Sequence, residues 1–275
     1  MQNYFLPNEN FFQIIQQHLP NVKQASLKHI KTGWTNIVIC ASDDVDEYFF
    51  RFPRNAFFAK MMLKDHSFCI FAKDKVTFQF PQLQLFYNQG RPFSCHKKIK
   101  GWSLSERIKF LSQQIVTNIA FDIAKFLKEL DQINHKTLPD ACNMPVSTFL
   151  DELSTVETFP YDLSKHNPLR ALESKLSVVH GDFNSGNILL DENDRMIGVI
   201  DFAFAGVSNR YVDIARIIGR SDPRFKKDIL EAYSDLTHKK LNQNYIQELV
   251  QMWNYVDSQY IRHMKMNHPE IQLPE

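Results

Sequence analysis

The chain has 275 residues, 44% of them hydrophobic and 23% charged, with 32 Lys and Arg against 31 Asp and Glu for a net charge of +1. That composition describes an ordinary globular protein, long enough for two hydrophobic cores and too balanced for a disordered tail or an obligate nucleic-acid binder. The balance hides an asymmetry: residues 1–150 hold 18 basic and 12 acidic side chains (+6) and residues 151–275 hold 14 and 19 (−5), so the two halves face different partners. Four scattered cysteines (40, 69, 95 and 142) form no CxxC pair, which argues against a zinc site or a disulfide framework and for a reducing, cytoplasmic setting. The opening residues lack the basic start and apolar run of a signal peptide, and no later stretch approaches a membrane span.

In chain order, residues 8–19 place Phe12, Ile15 and Leu19 at helical spacing before Pro20, which predicts a short amphipathic helix. From Ala25 to Phe52 the period falls to two. The runs Ile37-Val38-Ile39 and Tyr48-Phe49-Phe50-Arg51-Phe52, separated by the acidic stretch Ser42 to Glu47, predict a hairpin, with an earlier strand before Thr32-Gly33-Trp34. Residues 56–73 read as a helix with a broad apolar face, and strands near 82–87 and 93–99 flank an Asn88-Gln89-Gly90 turn. At Ser103 and Glu106 a capping-box pattern opens a long helical run to Ile133, as one helix or two end to end. Residues 134–169 read as loop with a short helix, 176–205 as strand, loop and strand, and the remainder as helical. Strands first and helices later predict an α+β protein of two lobes, 1–98 and 99–275, joined near residues 96–101.

The chemistry resides in Val178-Val179-His180-Gly181-Asp182-Phe183-Asn184-Ser185-Gly186-Asn187-Ile188-Leu189-Leu190, followed by Ile197-Gly198-Val199-Ile200-Asp201-Phe202. A hairpin of apolar strands projects Asp182 and Asn187 from the loop before it and Asp201 from its far end. An Asp, an Asn five residues on and an Asp fourteen beyond that supply a base or hydroxyl-positioning group and two oxygen ligands for Mg²⁺. Phosphoryl transfer needs these parts, because its catalysis is mostly positioning and charge neutralisation.

The segment resembles the aminoglycoside phosphotransferase family, small-molecule kinases with a bilobal protein-kinase-like fold, a small antiparallel-sheet N-lobe and a mainly helical C-lobe. Gly181, where protein kinases have Arg, favours the small-molecule branch. Asp213-Ile214-Ala215 extends the likeness to a helix after the metal loop. The resemblance implies that Asp182 is the catalytic base, Asn187 and Asp201 hold Mg²⁺, His180 braces the catalytic loop and Asp213 is a structural acid. Gly33, between two predicted strands, takes the place of a loop over the phosphates. Arg51 stands on the third strand, where the family usually offers Lys, with Asp65 as the best-placed acid where it usually has Glu; Lys60 and Lys64 are further phosphate candidates. His96 to Ile99 resembles the inter-lobe hinge that reads the purine edge.

By the same resemblance the donor is ATP or GTP. The acceptor is a small hydroxylated molecule lying between the catalytic loop and the late helices, where Asp257 and Tyr260 are candidate contacts. An aminoglycoside is the best single guess, with antibiotic resistance as the role. A choline-, homoserine- or sugar-type acceptor stays open, as does a catalytically silent nucleotide-binding scaffold, which the departures at Arg51, Asp65 and Asp201-Phe202-Ala203 motivate. A protein kinase is disfavoured, because no Arg follows the catalytic-loop His and no Ala-Pro-Glu-like segment appears. No nucleic-acid or membrane partner is expected, and the chain is expected to be a monomer or weak dimer.

Overall fold

A computed structural model of the chain describes residues 4–31, 35–156 and 176–267. The first part is a five-stranded antiparallel sheet in the order β1-β2-β3-β5-β4, built from Lys28–Ile30 (β1), Asn36–Ser42 (β2), Glu47–Pro53 (β3), Gln84–Asn88 (β4) and Arg91–Lys97 (β5). The period-two run behaves as expected: β2 pairs β3 with Cys40 opposite Phe49, and the acidic turn is closed by Asp43, whose carboxylate accepts from the N–H groups of Val45 and Asp46. Phe50 and Phe52 therefore point to one face, where they join Ile37, Ile39, Phe93, Phe5 and helix α1 (Phe11–Gln16) in a core of their own. Phe49 and Arg51 fall on the other face.

That second face meets α2 (Ala56–Ala72), which explains why its apolar surface is so broad. Phe68, Cys69 and Ala72 belong to the larger core of the second half, while Phe57, Phe58 and Met61 pack with Leu153 and Ala203. A helix apolar nearly all round is a helix buried on several sides.

The second half is mainly helical. Its scaffold is α4 (Gln113–Gln132), with Val116, Ile119, Ile123, Phe126, Leu127 and Leu130 buried. The run expected from residue 104 to 133 is interrupted: α3 (Leu104–Arg107) ends in a 3₁₀ turn, Leu111 is extended, and Ser112 caps α4 by accepting from the Ile115 N–H. The interruption is fixed from outside, because Arg224 donates to the carbonyls of Ile108 and Leu111 at 2.8 Å each and so occupies acceptors that a continuous helix would have bonded internally. Further on come α5 (Val146–Val156), α6 (Tyr211–Arg220), α7 (Arg224–Thr237) and α8 (Gln243–Asn267).

Two small sheets seat the loops that matter. Ser177–Val179 (β7) pairs Gly206–Ser208 (β10), and Trp102–Ser103 (β6) pairs Ile188–Leu190 (β8), which pairs Met196–Val199 (β9). The loop from β7 to β8 and the loop from β9 to β10 thereby run side by side, joined where the Ile200 N–H donates to the Asn187 carbonyl at 3.0 Å. All four cysteines are buried thiols outside any disulfide, and among the described residues no helix is long and apolar enough to cross a membrane.

The sheet core turns on Phe52, whose ring lies 4.7–5.0 Å from those of Phe5, Phe11 and Phe93. Phe52→Ala is expected to destabilise the protein by about 3–5 kcal/mol, read as a lowered denaturation midpoint in urea followed by circular dichroism.

Candidate active site

The β7–β8 loop begins with a backbone that only glycine fits easily. Gly181 has φ +80°, and a Cβ there would lie 2.4 Å from the Phe204 carbonyl oxygen. The turn is held from α6: buried Asp213 accepts from the N–H groups of His180 at 2.7 Å and Gly181 at 2.8 Å. His180 is fully buried, its ring packed on Phe202 at 4.6 Å. Its Nδ1 accepts from the Asp182 N–H and its Nε2 lies 3.0 Å from the Ile200 carbonyl, so the contacts select the tautomer protonated on Nε2 and bind this loop to the next. His180 and Asp213 thus occupy bracing positions.

Asp182, Asn187 and Asp201 are brought to these adjoining loops. The Asn187 Nδ2 donates to the Asp182 carbonyl at 2.9 Å, which directs its amide nitrogen inward and leaves Oδ1 as the acceptor. Asp201 is a non-glycine residue at φ +66°, a strained conformation that marks a place where the surroundings dictate the backbone. Its side chain is exposed to the cleft, yet the enclosing protein and the Asp65 and Asp182 carboxylates push its pKa up to about 6 against the pull of Arg51. Phe202 anchors this loop in the core, 4.2 Å from Phe80 and 5.1 Å from Phe68 between ring centroids.

Arg51 and Asp65 are paired, as their positions suggest. Arg51 Nη2 lies 2.5 Å from Asp65 Oδ2 and Nε donates to Ser94 Oγ at 3.2 Å. The other oxygen of Asp65 accepts the Phe202 N–H at 3.1 Å, so one carboxylate joins β3, α2 and the Asp201 loop. His96 lies on β5 beside Phe49, its pKa brought down to about 4 by burial and then by Arg51. Ile99 is half-buried in the segment between β5 and β6. Gly33 lies outside the described residues. Lys60 is directed to Glu152 on α5 at 2.8 Å, and Lys64 is buried, its pKa lowered to about 8 by desolvation, with Cys142 as its leading electrostatic neighbour.

On the opposite side of Asp182 is a cavity of about 120 Å³, lined by Asp182, Gly181, Asp257, Tyr260, Trp253 and Phe204 among others. Asp257 and Tyr260 are therefore brought to the same wall as Asp182. Sequence reasoning missed the two cations of that wall. Arg216 contacts both Asp182 and Asp257, and Arg220 Nε lies 2.6 Å from Asp257 Oδ2. The available signal was their spacing: Arg216 is one turn beyond Asp213 and Arg220 one turn further on the same helix.

A profile of the phosphotransferase enzyme family matches residues 26–242. The chain belongs to this family. Among solved structures, a GDP and kanamycin complex of APH(2")-IIIa superimposes with a TM-score of 0.72 at 18% identity, covering 94% of this chain and 93% of that one. An aminoglycoside-3'-phosphotransferase of type VIII gives 0.71 at 14% identity over 88% and 96%. Macrolide 2'-phosphotransferase MphH from Brachybacterium faecium gives 0.65 at 11% over 97% and 99%. The fold is accordingly the bilobal kinase-like one. In sequence, aminoglycoside 3'-phosphotransferase of Escherichia coli is 36% identical over 59 residues, 20% of this chain and 21% of that relative's length.

Asp213→Ala strips two N–H groups in the β7–β8 loop of their acceptor. At about 1–3 kcal/mol for each buried donor left unpaired, thermal unfolding is expected at a clearly lower temperature, whereas Asp213→Asn, which retains one acceptor oxygen, is expected to fall between.

Proposed function

We propose that the protein transfers the γ-phosphate of ATP or GTP to a hydroxyl of a small molecule, with an aminoglycoside as the best-fitting acceptor. Residues 1–98 cover the nucleotide in this reading, and residues 99–275 supply the catalytic loop and acceptor wall. The observation that carries it is the placement of Asp182, on a loop adjoining that of Asp201, in the wall that also holds Asp257 and Tyr260.

Asp182 orients the acceptor hydroxyl and takes its proton as the oxygen attacks phosphorus. Arg51, fixed by Asp65 and Ser94, offers a guanidinium to the phosphates, and the chain from His96 to Ile99 presents backbone groups to the purine. His180 and Asp213 hold the loop in shape. Gly33 belongs to the strand connection that covers the phosphates in this reading. Asp257 and Tyr260 meet the acceptor, an ammonium group being the natural partner of the carboxylate.

The site suits Mg²⁺. Asn187 presents an amide oxygen, and Asp201 presents a carboxylate whose pKa is raised first by burial and then by the neighbouring Asp65 carboxylate. Among the described residues no three His, Cys, Asp or Glu side chains form a metal cage. Mg²⁺ is commonly held by one or two side chains together with phosphates and water. Asn187 and Asp201 would hold the ion, which would supply neutralisation of phosphate charge.

Arg216 and Arg220 favour a second reading, a less cationic hydroxylated metabolite, because they offset the negative charge of the acceptor wall. Mass spectrometry of products from a panel of amino-sugars, macrolides, choline, homoserine and simple sugars separates the two. Phosphorylation of an amino-sugar supports the first reading, and phosphorylation confined to the other acceptors, which carry at most one positive charge, supports the second. Asp182→Ala is expected to lower kcat by roughly 10²–10⁴-fold with nucleotide binding retained. Asp201→Ala and chelation by EDTA are expected to abolish transfer. If both variants bind nucleotide and turn over like the wild type, the catalytic assignment is wrong; a wild type that binds nucleotide and transfers phosphate to no acceptor supports the silent scaffold.

A further inference from the structure

The Asp182 carboxylate is not symmetrical in its contacts. Arg216 Nε donates to Oδ1 at 2.8 Å and Asn184 Nδ2 donates to the same oxygen at 3.2 Å, with Arg216 Nη2 also lying 2.8 Å from it. No described residue donates to Oδ2. A carboxylate oxygen has two lone pairs, so these two donors leave Oδ1 with no capacity for another proton. The free edge of Arg216 is engaged too: Nη1 donates to both oxygens of Asp257, at 2.8 and 2.7 Å. The guanidinium is buried, with the Trp253 ring 4.6 Å away across its face.

We propose that Arg216 is a positioning residue for phosphoryl transfer, saturating Oδ1 of Asp182 so that Oδ2 receives the acceptor proton, and linking that carboxylate to Asp257 in the acceptor wall. The inference rests on the reading of Asp182 as the base. In the step so assigned, the acceptor O–H gives its proton to Oδ2 and a new bond forms between the acceptor oxygen and the γ-phosphorus. The bond from the γ-phosphorus to the β–γ bridging oxygen breaks, and the nucleoside diphosphate leaves. Arg216 forms no bond to substrate. It fixes the rotation of the carboxylate about its Cβ–Cγ bond, which an exposed Asp would sample freely.

The competing explanation is a buried ion pair with only a structural effect. Such pairs are often replaceable by an apolar side chain of similar volume at little cost in stability. The two accounts part over Arg216→Met. A structural pair predicts that any loss of activity follows loss of folded protein. The positioning role predicts a fall in kcat in well-folded enzyme, because a misplacement of about 1 Å at a reacting group costs on the order of 100-fold.

The experiment compares wild type, Arg216→Met, Arg216→Lys and Asp257→Asn in transfer to the acceptor that the panel identifies and in slow hydrolysis of the nucleotide by water. Arg216→Met is expected to lose roughly 100-fold in kcat with an unchanged nucleotide KM, and Arg216→Lys to recover a substantial part of it. Asp257→Asn is expected to act mainly on the acceptor KM. A kcat for Arg216→Met close to that of wild type overturns the proposal. Equal losses in Arg216→Met and Arg216→Lys that track a lowered melting temperature overturn it as well. If the wild type hydrolyses nucleotide but phosphorylates no acceptor, the reading of the function fails separately, and the hydrolysis rates of the same variants still decide the role of Arg216.

Discussion

The structure hangs on the carboxylate of Asp65. It lies on α2, almost wholly enclosed, and each oxygen has a different partner: Oδ2 meets Arg51 from the sheet and Oδ1 meets the backbone N–H of Phe202, next to Asp201. Burying an unpaired carboxylate is costly, so the helix, the third strand and the Asp201 loop must assemble together or not at all. The substitution of Arg for the usual Lys and Asp for the usual Glu also acquires a geometric meaning. A guanidinium reaches one bond further from Cα than an ammonium, and Asp is one methylene shorter than Glu. The two departures therefore offset each other in length, and the bridge closes at 2.5 Å.

A second guanidinium–carboxylate assembly is built on the β7–β8 loop. Arg216 and Arg220 from α6 bind Asp182 and Asp257, while Asp213 from the same helix holds the His180–Gly181 backbone. One helix thus sets both the shape of the loop and the orientation of its carboxylate. The strain at Gly181 and Asp201, both at positive φ, lies between these two assemblies, where the surrounding bonds are dense enough to sustain it.

Much of this was legible in the sequence because its causes are local. The β2–β3 hairpin follows from a period of two around an acidic turn, the start of α3 from Ser103 and Glu106, and the loop geometry from the spacing of Asp182, Asn187 and Asp201. Where the cause is distant, the sequence is silent. The break before α4 is held by Arg224, 113 residues beyond Leu111, and the partner that gives Arg216 its meaning, Asp257, lies 41 residues further along the chain. An Arg on an amphipathic helix looks solvated until the helix that covers it is in place.

The Arg51–Asp65 bridge is expected to order the proposed nucleotide side of the site, and a double-mutant cycle tests this most directly. Nucleotide dissociation constants would be measured by calorimetry for the wild type, Arg51→Lys, Asp65→Glu and the doubly substituted protein. The account predicts that each single change weakens binding, because the bridge becomes too short or too long, and that the double change recovers most of the affinity. Losses that simply add, leaving the doubly substituted protein weaker than either single variant, would contradict it.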